Sequence, residues 1–267
     1  MASTRRVKRR LKKRVLIILI FVIVILMFVF TTLVKGISSK DANGKESSKK
    51  QTVSLLKKSE SKEVEAVVEE VEKVEKPVIV IDPAFGGEYA GSKGFNGVLQ
   101  KDVNLDIALK VKKSLERYDD IEVFLTRESD VAVSYEKRIS LIKDKKANVV
   151  VSIQQNTEGT GTATGIETYV LDRESYPDND RTFGYTLQKA MTMYSVTADR
   201  GVMARNIDIL KDSYANGAVG AVVYTGFITN EKESKNLTTD SYTEKLGEGI
   251  AQGILSYVDK TINSEKK

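Results

Sequence analysis

The chain has 267 residues and a formal net charge of +5, and it contains neither histidine nor cysteine. The lack of both residue types excludes disulfides, thiolate or imidazole metal sites, and Ser-His-Asp or Cys-His catalysis. Residues 1–76 hold 18 Lys and Arg against 9 Asp and Glu, a net charge of +9, whereas residues 77–267 hold 24 against 28, a net charge of −4. The longer C-terminal part is therefore mildly acidic, and the positive charge of the whole chain does not predict nucleic-acid binding.

The first predicted element is a membrane anchor. Residues 15–34 carry no charge, and a helix of this length, at about 1.5 Å per residue, spans a hydrocarbon core of about 30 Å. Residues 1–14 contain eight Lys and Arg and no acid, which predicts a basic cytoplasmic tail under the positive-inside rule. A cleaved signal peptide fits less well, because the apolar run is long and no A-x-A-like site follows it. We therefore predict a single-pass signal anchor in the cell membrane, with the C-terminal part of the chain extracytoplasmic.

The next segment, residues 35–76, is rich in Ser, Lys and Glu, which predicts a solvated extracytoplasmic linker. Valines recur in it at helical spacing, at positions 64, 67, 68, 71 and 74. An amphipathic helix that pairs with a partner or with itself therefore stays open as an alternative.

Residues 77–267 alternate strand and helix patterns. Apolar, β-branched runs predict strands at residues 78–81, 121–125, 148–153, 166–171 and 219–224, and four-residue periodicity predicts helices near residues 103–115, 139–142, 183–191 and 241–262. Ser134 and Asn230 are predicted N-caps, and the glycine-rich residues 159–165 are predicted to form a flexible surface loop. The pattern predicts an α/β fold, a three-layer domain with a mostly parallel sheet flanked by helices.

In such sheets a ligand crevice lies outside the carboxyl ends of the strands. Phe85 follows the first predicted strand, Gln154 ends the third and Tyr224 ends the last. We therefore expect these three side chains to converge.

Four motifs occur in this part of the chain, and three of them contain the positions just named. They read D-P-A-F-G-G at residues 82–87, G-V-L-Q-K-D-V-N-L at 97–105, S-I-Q-Q-N at 152–156 and Y-T-G-F-I-T-N at 224–230. In order and spacing they resemble the N-acetylmuramoyl-L-alanine amidase family of the amidase-3 type, which cuts bacterial peptidoglycan and whose motifs read D-P-G-H-G-G, E-K-D-x-N-L, S-I-H-x-N and E-x-G-F-x-S-N. The resemblance covers roughly residues 77–260 and implies the same three-layer fold.

The resemblance also implies a zinc site whose residues have been replaced. The family's two His and first Glu, which bind zinc, correspond to Phe85, Gln154 and Gln100, and its catalytic Glu corresponds to Tyr224. A phenyl ring offers no lone pair, amide oxygens are weak zinc ligands, and a phenol with a reference pKa near 10 is a poor base. We therefore expect a degenerate member with no catalytic residue, no metal ligands and no zinc or other cofactor.

Two interpretations of the replaced positions stay open. Phe85, Gln100, Gln154 and Tyr224 could simply fill the former site, or Phe85 and Tyr224 could present flat faces to a sugar or peptide. Arg127 and Asn156 match the family frame and are further candidates for substrate contacts, although either could instead hold a strand end in place.

The expected function is binding at the bacterial cell wall. The partner would be peptidoglycan or another cell-envelope protein, and the chain would act as a regulator or scaffold beside the membrane. An active amidase with a non-standard site and a purely structural assembly module are the alternatives.

Overall fold

The computed structural model describes residues 76–173 and 179–262. The predicted tail, anchor and linker lie outside the described residues, apart from Lys76 at the end of the linker. No helix in the part of the chain that is described is long and apolar enough to span a membrane.

Strands and helices alternate along this part of the chain. In order they are β1 (Val78–Pro83), α1 (Gln100–Leu115), β2 (Glu122–Leu125), α2 (Tyr135–Asp144), β3 (Val149–Asn156), β4 (Ile166–Val170), α3 (Asn179–Ser195), β5 (Asp199–Ala204), α4 (Asp208–Ala215), β6 (Val219–Phe227), α5 (Glu231–Asn236) and α6 (Asp240–Tyr257), followed by a π-helical turn at Val258–Ile262.

The strands form one mixed sheet in the order β2-β1-β3-β6-β4-β5. Neighbouring strands are parallel except for β4, which runs antiparallel to β6. The prediction of a mostly parallel sheet is therefore confirmed. The carboxyl ends of β1, β3 and β6 and the amino end of β4 meet at the same edge of the sheet.

Apolar cores lie on both faces of the sheet, because successive side chains of a strand point to opposite faces. Ile79 and Ile81 of β1 join the core under α1, α3 and α6, whereas Val80 joins the core under α2 and α4. We call these the α1 face and the α2 face. Helices, sheet and helices thus make three layers, as predicted.

Local sequence signals account for several helix starts. Ser134 accepts a hydrogen bond from the Lys137 amide at the start of α2, and Asn230 accepts one from the Glu233 amide at the start of α5, which confirms both predicted N-caps. Two elements, β5 and α4, were not predicted, since neither contains a long apolar run.

Candidate functional site

The first part of the site is a row of three side chains across the sheet. Gln154 on β3 is the register partner of Tyr224 on β6, and Tyr224 is in turn the register partner of Glu167 on β4. Register partners point to the same face, which here is the α2 face. Gln154 and Tyr224 are half-buried, whereas Glu167 is only 4% exposed. Two of the replaced family positions are therefore neighbours, with a carboxylate next to them.

The second part of the site is the surroundings of Gly91, where Phe85 and Gln100 lie. A Cβ atom added to Gly91 would lie 2.7 Å from Oε1 of Gln100 and 2.8 Å from Cδ2 of Phe85, so both side chains pack against this glycine. The amide nitrogen of Gln100 donates to the carbonyl of Gln155, the residue after Gln154. All four replaced positions therefore gather at the edge where β1, β3 and β6 end.

The prediction that Gln154 and Tyr224 end their strands is wrong. β3 continues to Asn156 and β6 to Phe227, with a register shift between Gln154 and Asn156. Two of the added residues, Gln155 and Thr225, are polar but buried, and Nε2 of Gln155 donates to Oγ1 of Thr225 at 3.1 Å. This hydrogen bond satisfies Nε2 of Gln155, whereas Oε1 of the same side chain has no hydrogen-bond partner among the described residues.

The backbone at Phe85 has an uncommon conformation. Its φ is +66°, a region that bulky residues seldom adopt. Its carbonyl accepts a hydrogen bond from Arg138 Nη2 at 3.0 Å, and the carbonyls of Pro83 and Ala84 accept further hydrogen bonds from Arg127. The loop is therefore held from residue 83 to residue 85 by groups outside it, which fixes where the Phe85 ring points.

Arg127 has a structural role in this arrangement. Arg127 is only 3% exposed, and its guanidinium donates to the carbonyls of Pro83, Ser129, Ala84 and Lys101. Of the two roles that the sequence left open for Arg127, these contacts favour bracing of the loop over contact with a ligand in the groove.

Asn156 lies in a polar network around Glu167. Oε2 of Glu167 accepts hydrogen bonds from Asn156 Nδ2 at 2.9 Å and from the Tyr169 hydroxyl at 3.0 Å, and Oε1 accepts one from Arg200 Nε at 2.5 Å. Asn156 is half-buried, so its amide both supports this network and stays in partial contact with solvent.

Further residues near the site were not predicted as site residues, among them Glu167, Arg138, Tyr169 and Arg205. Tyr169 could have been found, because alternation along the predicted strand places it on the same face as Glu167. Arg205 could not, since it directly follows β5, a strand without an apolar run.

The residues at the four positions do not fit the zinc ion that the resemblance implies. Both amide atoms of Gln100 are engaged by the protein, because Oε1 accepts from the Ser92 amide at 3.0 Å and Nε2 donates to Gln155. Phe85 has no donor atom, and the described residues contain no group of three His, Cys, Asp or Glu side chains that could hold a metal ion. Zinc prefers thiolate, imidazole and carboxylate ligands.

A family model and solved structures of related proteins indicate the same family for this chain. The model of the family described as Amidase_3, N-acetylmuramoyl-L-alanine amidase, matches residues 79–256. The solved N-acetylmuramoyl-L-alanine amidase from Clostridium difficile 630 is 34% identical, with a TM-score of 0.65 over 70% of this chain and 98% of that one. The CwlD amidase from Clostridioides difficile, solved in complex with the GerS lipoprotein, is 27% identical, with a TM-score of 0.63 over 69% of this chain and 100% of that one.

A curated relative, the amidase LytC of Bacillus subtilis (strain 168), is 31% identical over 67% of this chain. The matched region spans only 35% of the length of LytC. The family model covers well over half of the present chain. The chain therefore belongs to the N-acetylmuramoyl-L-alanine amidase family.

Proposed function

We propose that this chain is a membrane-anchored member of the amidase family that binds the cell wall without hydrolysing it. The observation that carries the proposal is the identity of the side chains at the four gathered positions, which are phenyl, phenol and two amides. These groups offer neither a zinc-binding set nor a base of suitable pKa, yet the loops and strand ends around them keep the family's order.

Tyr224 is unsuited to replace the catalytic carboxylate. Burial raises the pKa of Tyr224 above its ordinary value, so the phenol keeps its proton at neutral pH. A protonated phenol donates a hydrogen bond but does not accept a proton from water.

Glu167 is the one carboxylate in the row, but it is poorly placed to act as a substitute base. Its two oxygens already accept three hydrogen bonds from protein groups, one of them from the positively charged Arg200. This arrangement supports binding rather than an amidase with a non-standard site.

Peptidoglycan is the partner that the family favours. A second candidate is an envelope protein, because the related CwlD amidase was solved in complex with a lipoprotein. The anchor and linker predicted from the sequence would hold the domain outside the cell membrane, within reach of either partner.

The test uses the full chain purified in detergent, with the Clostridium difficile 630 amidase as a matched active control. We expect this chain to sediment with purified sacculi, to release no peptide amino groups from them, and to hold no stoichiometric zinc after dialysis against micromolar zinc. Release of new amino groups at a rate above that of buffer would overturn the non-hydrolytic function. Failure to sediment would remove peptidoglycan as the partner and leave the envelope protein.

A further inference from the structure

Beside the replaced catalytic position lies a continuous feature that we call the aromatic-arginine strip, formed by Tyr224, Tyr169 and Arg205. The rings of Tyr169 and Tyr224 meet edge to face, with centroids 5.2 Å apart and planes at 77°. The guanidinium carbon of Arg205 lies 4.8 Å from the centroid of the Tyr169 ring. Tyr169 is 7% exposed, Tyr224 is half-buried and Arg205 is exposed, so both ends of the strip are in contact with solvent.

Two hydrogen-bond donors of the strip lack protein acceptors. Among the residues that the structure describes, the Tyr224 hydroxyl has no hydrogen-bond partner and the Arg205 guanidinium has no acidic partner. Tyr224 remains a donor at neutral pH because burial raises its pKa. The strip therefore offers a hydroxyl and a cation to a group that comes from outside.

Arg205 forms no ion pair with an acid among the residues that the structure describes. Glu167, the acid beside Tyr224, pairs with Arg200 at 2.5 Å. Asp208, the acid that follows Arg205 most closely in the sequence, pairs with Lys211 at 2.6 Å. The amidase motif has a carboxylate at position 224, whereas this chain has a neutral phenol there with the guanidinium of Arg205 nearby, so one negative charge is absent from this part of the site.

We propose that the aromatic-arginine strip is a carboxylate-binding subsite for peptidoglycan. The inference rests on the proposed function, because it assumes that the domain binds the cell wall. Guanidinium and hydroxyl groups each form charge-assisted hydrogen bonds with carboxylates, and the ring edges add apolar contact area for the sugar or peptide that carries the carboxylate.

Peptidoglycan can present such a carboxylate in two ways. Hydrolysis of the N-acetylmuramoyl-L-alanine amide leaves a carboxylate on the muramoyl group and an amine on the alanine, so peptide-free glycan carries one free carboxylate on each muramoyl group. Intact peptidoglycan instead carries carboxylates on its stem peptides. The same subsite chemistry serves both, and the probes below separate them.

The experiment measures binding of the full chain in detergent to four probes: peptide-free glycan, intact peptidoglycan, and each of these after conversion of its carboxylates to methylamides. The variants are Arg205→Gln, which removes the charge, and Tyr224→Phe, which removes the hydroxyl and keeps the ring pair. Arg117→Gln is the matched control, because it removes the same charge from a surface ion pair with Glu248.

We expect Arg205→Gln and Tyr224→Phe each to weaken binding by about tenfold or more, because each removes a hydrogen bond to the charged carboxylate. Methylamide formation should weaken the wild type to a similar degree, and Arg117→Gln should bind as the wild type does. A preference for peptide-free glycan would identify the muramoyl carboxylate, and a preference for intact peptidoglycan the stem peptide.

Two results would overturn the inference, and they have different meanings. Wild-type binding that neither Arg205→Gln nor methylamide formation weakens would remove the carboxylate subsite and leave the proposed function standing. Absence of wild-type binding to all four probes would remove both the subsite and peptidoglycan as the partner.

Discussion

Replacing Tyr224 by Glu restores the family's side chain, yet we expect it to destabilise this protein. The new carboxylate would lie opposite Glu167, whose side chain is 5% exposed, at a cross-strand Cβ separation of about 5 Å. At an effective dielectric constant of about 20, two charges at that distance repel each other by about 3 kcal/mol. Loss of the edge-to-face contact with Tyr169 adds about 1 kcal/mol, and attraction to Arg205 and Arg200 offsets part of the repulsion. The expected net loss in the free energy of unfolding is about 2–3 kcal/mol.

Thermal unfolding measures this loss, with Tyr224→Phe as the control because it keeps the ring pair and adds no charge. For a domain of this size, about 2–3 kcal/mol corresponds to a Tm lower by roughly 4–12 °C. The repulsion raises the pKa of the introduced carboxyl in the folded state, so the destabilisation is present at neutral pH and is relieved as the pH falls through that raised pKa. Equal Tm values for the two variants at neutral pH would show that Arg205 already neutralises a carboxylate at this position, and the charge argument would then fail.

Three more predictions follow from other parts of the structure. The fourfold variant Phe85→His, Gln100→Glu, Gln154→His and Tyr224→Glu should bind about one zinc per chain in isothermal titration; if it folds and ignores zinc, the loops have drifted from the family geometry. Glu158→Gln should speed hydrogen exchange of residues 159–163 at neutral pH, because it weakens the hydrogen bonds from Thr160 and Thr162 to the ionised carboxylate. These hydrogen bonds hold the pKa of Glu158 at about 2. In the wild type, the protection from exchange should therefore be complete above the ordinary carboxyl pKa and be lost as the pH falls towards 2. Equal exchange in the variant would show that other contacts hold the loop. Val196 is 86% exposed and has a φ of +53°, a strained conformation for a β-branched residue. Val196→Gly should raise the Tm by up to about 3 °C, because the strain relieved, about 1–2 kcal/mol, exceeds the free-energy cost of the entropy that glycine adds to the unfolded chain. Val196→Ala is the control, and a lower Tm in the glycine variant would contradict the assignment of strain.

Much of the fold could be predicted from the sequence because its central strands are buried on both faces. Continuous apolar runs such as residues 78–81 and 219–224 mark such strands clearly, and all five predicted strands are present. β5 was missed because it lies at the edge of the sheet, where the run Asp199–Ala204 is only partly buried and carries charges at its start.

The gathering of the replaced positions was predictable, but their contacts were not. Convergence of Phe85, Gln154 and Tyr224 follows from the common edge at which parallel strands end. The role of Arg127 depends on which carbonyls lie within reach of its guanidinium, and such distances are set by tertiary packing. The glycine-rich loop was predicted to be flexible from its composition. In the structure, the backbone amides of Thr160 and Thr162 donate hydrogen bonds to the carboxylate of Glu158, a local interaction that composition alone does not predict.

The support around Phe85 has a consequence for how such a protein can arise. Since Arg127 and Arg138 bind the carbonyls of residues 83–85, the left-handed backbone at this position is imposed by its neighbours and not by the residue that occupies it. An imidazole and a phenyl ring can therefore be exchanged there by a single substitution, without a new loop conformation. The loop at residues 83–85 therefore separates backbone conformation from side-chain identity at this position.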